Sequence, residues 1–396
     1  MVVFTPSIRT SALPPNFFGA LDRRIALARS LGTIEIIDVS KGNPDLPTPA
    51  HIVSEMQAQV ALPSNHRYPS FTSRTRVREA IAQRYREDHG VDVDPEAHVA
   101  TFHGSHEALM ASVLALTNPG ESVILPDPGY PMYESAAHFA GAVMRTLPLI
   151  RQLGYQPDFS TLDDLHRAAV LFLNYPNNPT GALARPETLA AAVEHAVRLG
   201  AAFVHDYAYS SLGFDGHKPI SALTCDPDFD VTVELSTVSK TYNMAGWRFG
   251  YAVGNASAIE AMRRYQSHAF STIFGATQEA AAAALAGDQS ASRELVTTYE
   301  RRRNLVASAI RGIGWDVVEP QGSFFVWIAV PGGGDDVRFA NRLLDEVGVA
   351  VAPGSGFGSR GRGFVRISLV HDESTLSELV QRLSRVVTPA TIGTSS

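Results

Sequence analysis

The stretch Ser236-Thr237-Val238-Ser239-Lys240-Thr241-Tyr242-Asn243-Met244-Ala245-Gly246-Trp247-Arg248 sets one lysine among small hydroxyl residues, with an arginine two turns later. It follows directly on the apolar run Val231-Thr232-Val233-Glu234-Leu235, so a strand gives way to a lysine-bearing turn. An amine and an anion site then stand side by side. A lysine made less basic by a desolvated or electropositive pocket attacks an aldehyde and holds it as a Schiff base, while hydroxyls and an always-charged guanidinium grip a phosphate. A lone Ser-x-Ser-Lys is more often a solvated loop, so the rest of the chain has to supply the other groups of such a site.

Outward from this stretch, residues 50 to 285 alternate short apolar runs with helical stretches, the pattern of a mostly parallel sheet covered by helices on both faces. Strands are predicted at 99–102, 122–125, 143–147, 170–173, 201–204, 231–235 and 249–253. Asn118-Pro119-Gly120 stops one helix and Arg185-Pro186-Glu187 starts another. Ligands of such sheets bind beyond the carboxyl ends of the strands, and polar segments follow several of them. Gly104-Ser105-His106-Glu107-Ala108 opens a helix whose free N–H groups suit an anion. Asp127-Pro128-Gly129-Tyr130-Pro131-Met132-Tyr133 offers an aromatic face. Asn174-Tyr175-Pro176-Asn177-Asn178-Pro179-Thr180-Gly181 is by itself a turn. In Phe203-Val204-His205-Asp206-Tyr207-Ala208-Tyr209 a carboxylate ends a buried strand, which is costly unless it is paired.

Beyond Ala286-Gly287 the order changes to strands at 315–318, 324–328, 349–352 and 364–369, a helix at 336–347 and a final helix from 373. A second, smaller domain is expected there, completed by the N-terminal segment: 50–285 form the large domain, 1–49 and 286–396 the small one. Residues 1–15 are expected to be an irregular arm because Pro6, Pro14 and Pro15 oppose regular structure. A helix is expected over 21–31 and a strand over 34–39 before the crossing Ser40-Lys41-Gly42-Asn43-Pro44-Asp45. Alternation along Gly363-Phe364-Val365-Arg366-Ile367-Ser368-Leu369 puts Arg366 between Phe364 and Ser368 on one face, where a guanidinium calls for a bidentate anion. Arg301-Arg302-Arg303 reads as a solvated helix face.

Taken in order, these motifs resemble the class I/II aminotransferases, pyridoxal 5′-phosphate enzymes of fold type I. Within that class they are most similar to the alanine and LL-diaminopimelate aminotransferase group. The likeness runs from about residue 35 to 370. It implies that Lys240 carries the coenzyme and acts as the catalytic base. Asp206 faces the pyridine nitrogen, Asn178 and Tyr209 the phenolic oxygen, and Tyr130 stacks on the ring. Ser105, Thr237, Ser239 and Arg248 hold the phosphate, with His106 beside them. Gly42 and Arg366 take the substrate α-carboxylate, with Asn178 alongside. Tyr68 reaches the phosphate of a neighbouring subunit, so a homodimer with shared sites is implied. The chain departs from the pattern at Ser73, where the family has glycine, and at His106 and Asn16, where the group tends to carry lysine and tyrosine. Lys41 and His106 could favour an acidic or polar substrate tail, with glutamate or alanine as the expected amino donor. A lyase, decarboxylase or oxidase acting on an amino acid would use the same parts.

The whole composition fits this reading. The chain has 396 residues, enough for two or three domains, with 45% hydrophobic and 18% charged residues and a net charge of -7. It offers no basic field for nucleic acid and no apolar run of membrane-spanning length. Cys225 is the only cysteine, which suits a reducing, cytoplasmic setting. No metal site is expected. Gly356-Phe357-Gly358-Ser359-Arg360-Gly361 matches a dinucleotide fingerprint in letters, but a strand follows it where a helix should open. The glycines are therefore expected to form a flexible loop near the substrate.

Overall fold

The computed structural model describes residues 3–32 and 34–386; Met1, Val2, Thr33 and residues 387–396 lie outside it, including the tips of the expected arm and small domain. The described strands in chain order are β1 (Ile37–Asp38), β2 (Val99–Phe102), β3 (Ser122–Asp127), β4 (Val143–Ile150) and β5 (Gln156–Pro157). They continue with β6 (Val170–Asn174), β7 (Ala202–Asp206), β8 (Thr232–Thr237), β9 (Gly250–Gly254) and β10 (Val317–Val318). The last are β11 (Phe325–Ala329), β12 (Val349–Ala350), β13 (Ala352–Pro353) and β14 (Phe364–Ser368).

An eight-stranded sheet of order β2-β9-β8-β7-β6-β3-β4-β5 forms the centre. Its neighbours from β8 to β4 run parallel, β9 is antiparallel to both of its neighbours, and β5 is an antiparallel edge. Every residue of β6 is buried. Successive side chains point to opposite faces: Val170 and Phe172 join one core with Phe102, Val204 and Leu235, while Leu171 and Leu173 join another with Leu189 and Phe203. Burial of this kind stabilises by about 1.5–3 kcal/mol per large apolar side chain. The chain is an α/β protein, as the alternation predicts. β5 escaped prediction because two residues, one of them Pro157, carry no periodic signal.

The C-terminal half builds an antiparallel sheet of order β10-β11-β14-β13, and β1 pairs in parallel with β12. The single strand expected at 349–352 is two short strands serving different sheets, because Val351 is the crossing point between β12 and β13. The strand expected at 34–39 shrinks to Ile37–Asp38. In the arm, one helical turn, Ile8–Ser11, forms where none was expected, with Ser7 accepting from the Thr10 amide. The next helix is longer than predicted, Phe17–Leu31, because Asn16 caps it by accepting from the Gly19 amide. Its apolar face is Leu21, Ile25 and Ala28; Leu31 is exposed.

The arginine triplet corrects another expectation. Arg301 is exposed and pairs with Glu373, but Arg302 and Arg303 are buried. Arg302 grips both oxygens of Asp45 at 2.8 and 2.9 Å, and Arg303 reaches Asp215 at 2.7 Å and Glu319 at 3.0 Å. Buried guanidinium groups are tolerable only with such partners. The long helix Ser290–Gly312 is thereby tied to the loops on either side of the cavity described next.

Candidate active site

The carboxyl ends of β2, β6, β7 and β8 and the middle of β14 meet around a cavity of about 370 Å3. Gly42, Ser105, His106, Tyr130, Asn178, Asp206, Tyr209, Thr237, Ser239, Lys240, Arg248 and Arg366 all line it. Tyr68 does not: it is 96% exposed on the segment after the short helix Pro63–His66.

One end of the cavity is an anion cradle. β2 runs into Gly104, which caps the helix Ser105–Leu116, so Ser105 is the first helical residue and its hydroxyl has no capping duty. Gly104 has φ 90°, and a Cβ there would collide with the guanidinium of Arg248. Only glycine lets this helix start so close to the arginine. Arg248, itself left-handed at φ 55°, donates to the Ala245 carbonyl at 2.9 Å. Across from it, β8 ends at Thr237, whose hydroxyl donates to the Phe249 carbonyl at 2.7 Å and accepts from the Ser239 amide at 3.1 Å. The helix Val238–Thr241 that Thr237 caps turns Lys240 into the cavity.

Lys240 Nζ donates to the Gly42 carbonyl at 2.9 Å and lies 5.5 Å from the centre of the Phe324 ring. A Cβ on Gly42 would come within 2.6 Å of Phe325, which is why the chain can approach only with glycine there. Burial, with the Arg248 and Arg366 charges adding to it, lowers the Lys240 amine from its ordinary value to about 8. The electropositive, desolvated setting expected of a nucleophilic lysine is present.

At the floor, Asp206 Oδ2 accepts from Tyr133 Oη at 2.7 Å and Oδ1 from the Ala208 amide at 3.3 Å. Burial still pushes this carboxyl up, although Tyr133 counters it. Asn174 binds the Asp206 carbonyl at 2.8 Å and accepts from the Asn178 amide at 2.8 Å, so the asparagine turn is fastened to the end of β7. Burial pushes Tyr209 well above the usual phenol range, and its ring stands edge-on to Phe324 and Phe325. Tyr130 stands edge-on to Tyr133.

Arg366 closes the other end. Its guanidinium donates to Asn178 Oδ1 at 2.7 Å and to the Ser40 carbonyl at 2.6 Å, while Nε is buried without a partner. It lies 4.0 Å from the Phe325 ring and 4.7 Å from the Phe357 ring, and burial lowers it to about 10. Phe357 belongs to the glycine-rich segment, which is latched down rather than loose. Ser359 donates to Asp127 at 2.6 Å, and the Arg360 amide donates to the same carboxylate at 3.0 Å. The segment forms two tight turns, Gly354–Phe357 and Ser359–Gly361, and opens no helix.

Among the described residues, Lys240, Arg248 and Arg366 form no ion pair, and Asp206 is the one buried carboxylate at the cavity. Arg366 is buried, Lys240 half-buried and Arg248 exposed at the rim; a buried guanidinium without a counter-charge is costly, and a ligand with two separate anionic ends would meet both arginines. Pyridoxal 5′-phosphate with an amino-acid substrate has those ends, an aldehyde for Lys240 and a ring nitrogen for Asp206, so the residues present fit the group. At the mouth, Lys41 pairs with Asp22 at 2.5 Å. Burial, then the charge of Arg248, lowers His106, which favours its neutral form. Sequence reasoning missed Tyr133, Asn174, Phe18, Asp22, Leu109 and Phe325. The Tyr-Pro-Met-Tyr and Asn-Tyr-Pro-Asn-Asn segments held the first two in plain sight, but nothing marked the others.

The family model for aminotransferases of class I and II matches residues 34–383. A similar curated protein is the L-glutamine–4-(methylsulfanyl)-2-oxobutanoate aminotransferase of Bacillus subtilis (strain 168), 46% identical over 376 residues, 94% of each chain. The LL-diaminopimelate aminotransferase of Desulforudis audaxviator is 39% identical over 382 residues, covering 96% of this chain and 97% of that protein. Among solved structures, substrate-bound BacF from Bacillus subtilis superposes with a TM-score of 0.92 at 38% identity, covering 97% of this chain and 98% of that one. A double mutant of the Thermus thermophilus aspartate aminotransferase gives 0.90 at 31% identity, covering 97% and 100%. With the lysine turn, the anion cradle and the buried arginine all at the strand ends of a fold type I sheet, this chain belongs to the class I and II aminotransferases.

Proposed function

We propose that the cavity binds pyridoxal 5′-phosphate on Lys240 and moves an amino group between an L-amino acid and a 2-oxo acid in two half-reactions. The observation that carries this is the charge inventory: three cations without ion-pair partners, Arg366 buried, Lys240 half-buried and Arg248 exposed at the rim, spread over the two ends of one cavity, with a lone buried carboxylate at its floor. When bound, the coenzyme supplies an electron sink next to the substrate Cα. Arg248, Ser105, Thr237 and Ser239 would hold its phosphate, and Asp206 would keep its ring nitrogen protonated. Asn178 and Tyr209 would meet its phenolic oxygen, and Tyr130 would cover one face. Arg366 and the Gly42 backbone orient the substrate carboxylate. Lys240, whose amine is already inclined to lose its proton, takes up and returns the proton at Cα.

The same inventory speaks to the substrate tail. Once Arg366 and Arg248 are engaged, Lys41 is the remaining cation at the cavity, and Asp22 already neutralises it. His106 is inclined to be neutral, and Phe18, Leu109 and Phe325 are apolar. A neutral tail, as in glutamine or a thioether amino acid, is therefore favoured over a second carboxylate, and the Bacillus subtilis relative acts on substrates of that kind. A zwitterionic tail such as that of diaminopimelate would have to open the Asp22–Lys41 pair. Of the acidic or polar tail expected from sequence, this favours the polar one, and it leaves glutamate and alanine as donors to be tested beside glutamine. Active units are proposed to be homodimers, with the exposed Tyr68 and the 70% exposed Phe71 covered by the partner. We also propose that 50–285 and the remainder act as two domains closing on the cavity, and that the protein works in the cytoplasm.

The test is transfer of a 15N label from an amino acid to a 2-oxo acid. Label should appear in the new amino acid with the native protein and not with Lys240→Ala. Release of the label as free ammonia instead would contradict transfer.

A further inference from the structure

Behind Asp206, on the opposite face of the sheet, β7 and β8 bring His205 and Glu234 into register. Both are completely buried. His205 Nδ1 is 2.9 Å from Glu234 Oε2, and Nε2 is 3.1 Å from the carbonyl oxygen of Tyr175. A peptide carbonyl only accepts. The carboxylate is also an acceptor, because it already receives Tyr85 Oη at 2.8 Å, Ser221 Oγ at 3.0 Å and the Ala222 amide at 2.8 Å. Burial alone would raise Glu234, but the hydrogen bond and charge of His205 outweigh it and hold the carboxyl below its ordinary value. A neutral imidazole has one donor and one acceptor nitrogen. Either tautomer would therefore aim a ring lone pair at an oxygen lone pair about 3 Å away, in a fully buried site.

We propose that His205 is an imidazolium held by Glu234, and that it serves the reaction as a positioning residue. Its charge favours the ionised form of Asp206, and its Nε2–H fixes the turn that carries Asn178. The neighbours suit this role. The Tyr175 carbonyl that His205 grips lies between Asn174, which holds the Asp206 carbonyl, and Asn178, which accepts from Arg366. One buried ion pair thus ties the strand ends carrying Asp206 and Lys240 to the turn that meets the substrate arginine. The groups facing the pair from other elements are Tyr85 and His89 on the helix Thr75–His89, Ser221, Tyr207 with its ring 5.0 Å away, and Tyr251 on β9. Tyr85, Tyr207 and Tyr251 are phenols pushed up by burial, and burial lowers His89, so the charged groups around the pair are Asp206, the next residue, and, beyond His89, Arg84 and Asp88.

This inference rests on the proposed role of Asp206 only in its second half, so two measurements separate them. The first uses the ligand-free protein with 15N-labelled histidine, its His205 signals assigned by their loss in His205→Gln. Both ring nitrogens should carry protons in the native protein. In Glu234→Gln the ring should become a single neutral tautomer. A neutral native ring would overturn the proposal whatever the protein binds.

The second follows the visible absorbance of the pyridoxal-phosphate-loaded protein against pH. His205→Gln removes the cation and keeps the Glu234 carboxylate, so the site becomes more negative and the titration midpoint should rise by about one unit, whereas Glu234→Gln removes both charges of the pair and should move it less. kcat should fall about tenfold with little change in KM. An unchanged midpoint in folded His205→Gln would reduce the pair to a structural brace and overturn the positioning role. If neither variant folds, ring protonation in the native protein alone decides the charge.

Discussion

Replacing Arg366 by lysine keeps a positive charge in the cavity and removes the fork. In the native protein the guanidinium is buried, donates to Asn178 and the Ser40 carbonyl, and keeps Nε free. A lysine ammonium on its shorter reach can replace the charge but not both hydrogen bonds to a carboxylate. A charge-assisted hydrogen bond is worth about 1.5–3 kcal/mol, and a desolvated charge left imperfectly met adds to the loss. We therefore expect about 2–4 kcal/mol lost in kcat/KM, or roughly 30- to 900-fold. Most of it should fall on KM, because the carboxylate is held in ground state and transition state alike. The assay is steady-state amino transfer with a series of amino acids, each compared with the corresponding amine that lacks the carboxylate. The native protein should discriminate strongly against the amines, and Arg366→Lys should lose most of that discrimination. Unchanged KM values, with the preference over amines intact, would refute the assignment and move the carboxylate site elsewhere.

Three other outcomes follow from the same geometry. Gly104→Ala forces a Cβ toward Arg248 at a positive φ, a strain of about 1–2 kcal/mol before any displacement of the guanidinium; pyridoxal phosphate affinity, measured by equilibrium dialysis, should fall tenfold or more, and an unchanged affinity would remove Arg248 from the anion cradle. The ligand-free Lys240 amine loses its proton near pH 8 when folded and near its ordinary 10.5 when unfolded, so between those values the unfolded chain holds more protons and stability rises with pH. That rise should be smaller in Lys240→Ala by denaturant titration, and equal slopes would contradict the shift. For the shared site, Tyr68→Ala and Lys240→Ala proteins are mixed after partial unfolding; the hybrid should regain activity toward half of the native value. If none returns, Tyr68 serves its own subunit.

The legible parts of this protein are those that local chemistry writes into short segments. β6, β7 and β8 lie within two residues of their expected ends because buried parallel strands are continuous apolar runs, β2 is matched because it is fully buried although antiparallel, and the polar residues after these strands are the ones that line the cavity. Arg366 was legible for the same reason, as a charge in an alternating strand. Tyr133 was not singled out, because its partner Asp206 lies 73 residues further along the chain and only the sheet order brings them together. Arg302 and Arg303 were misread because a charged triplet on a helix gives no hint of Asp45, Asp215 and Glu319, contributed by three separate loops. The latch on the glycine-rich segment depends likewise on Asp127, more than two hundred residues upstream. His205 stood beside Asp206 in every reading of the sequence. Its role emerges only when both ring nitrogens are seen to face acceptors.

The account turns on Lys240 as the residue that bears the coenzyme. Protein loaded with pyridoxal phosphate, reduced with borohydride and digested, should yield one modified peptide carrying the phosphopyridoxyl group on Lys240. Prior treatment with an amino-acid substrate should free the coenzyme in its amine form and abolish that label. Modification spread over surface lysines, or a label on Lys240 that no amino acid can discharge, would contradict the central claim.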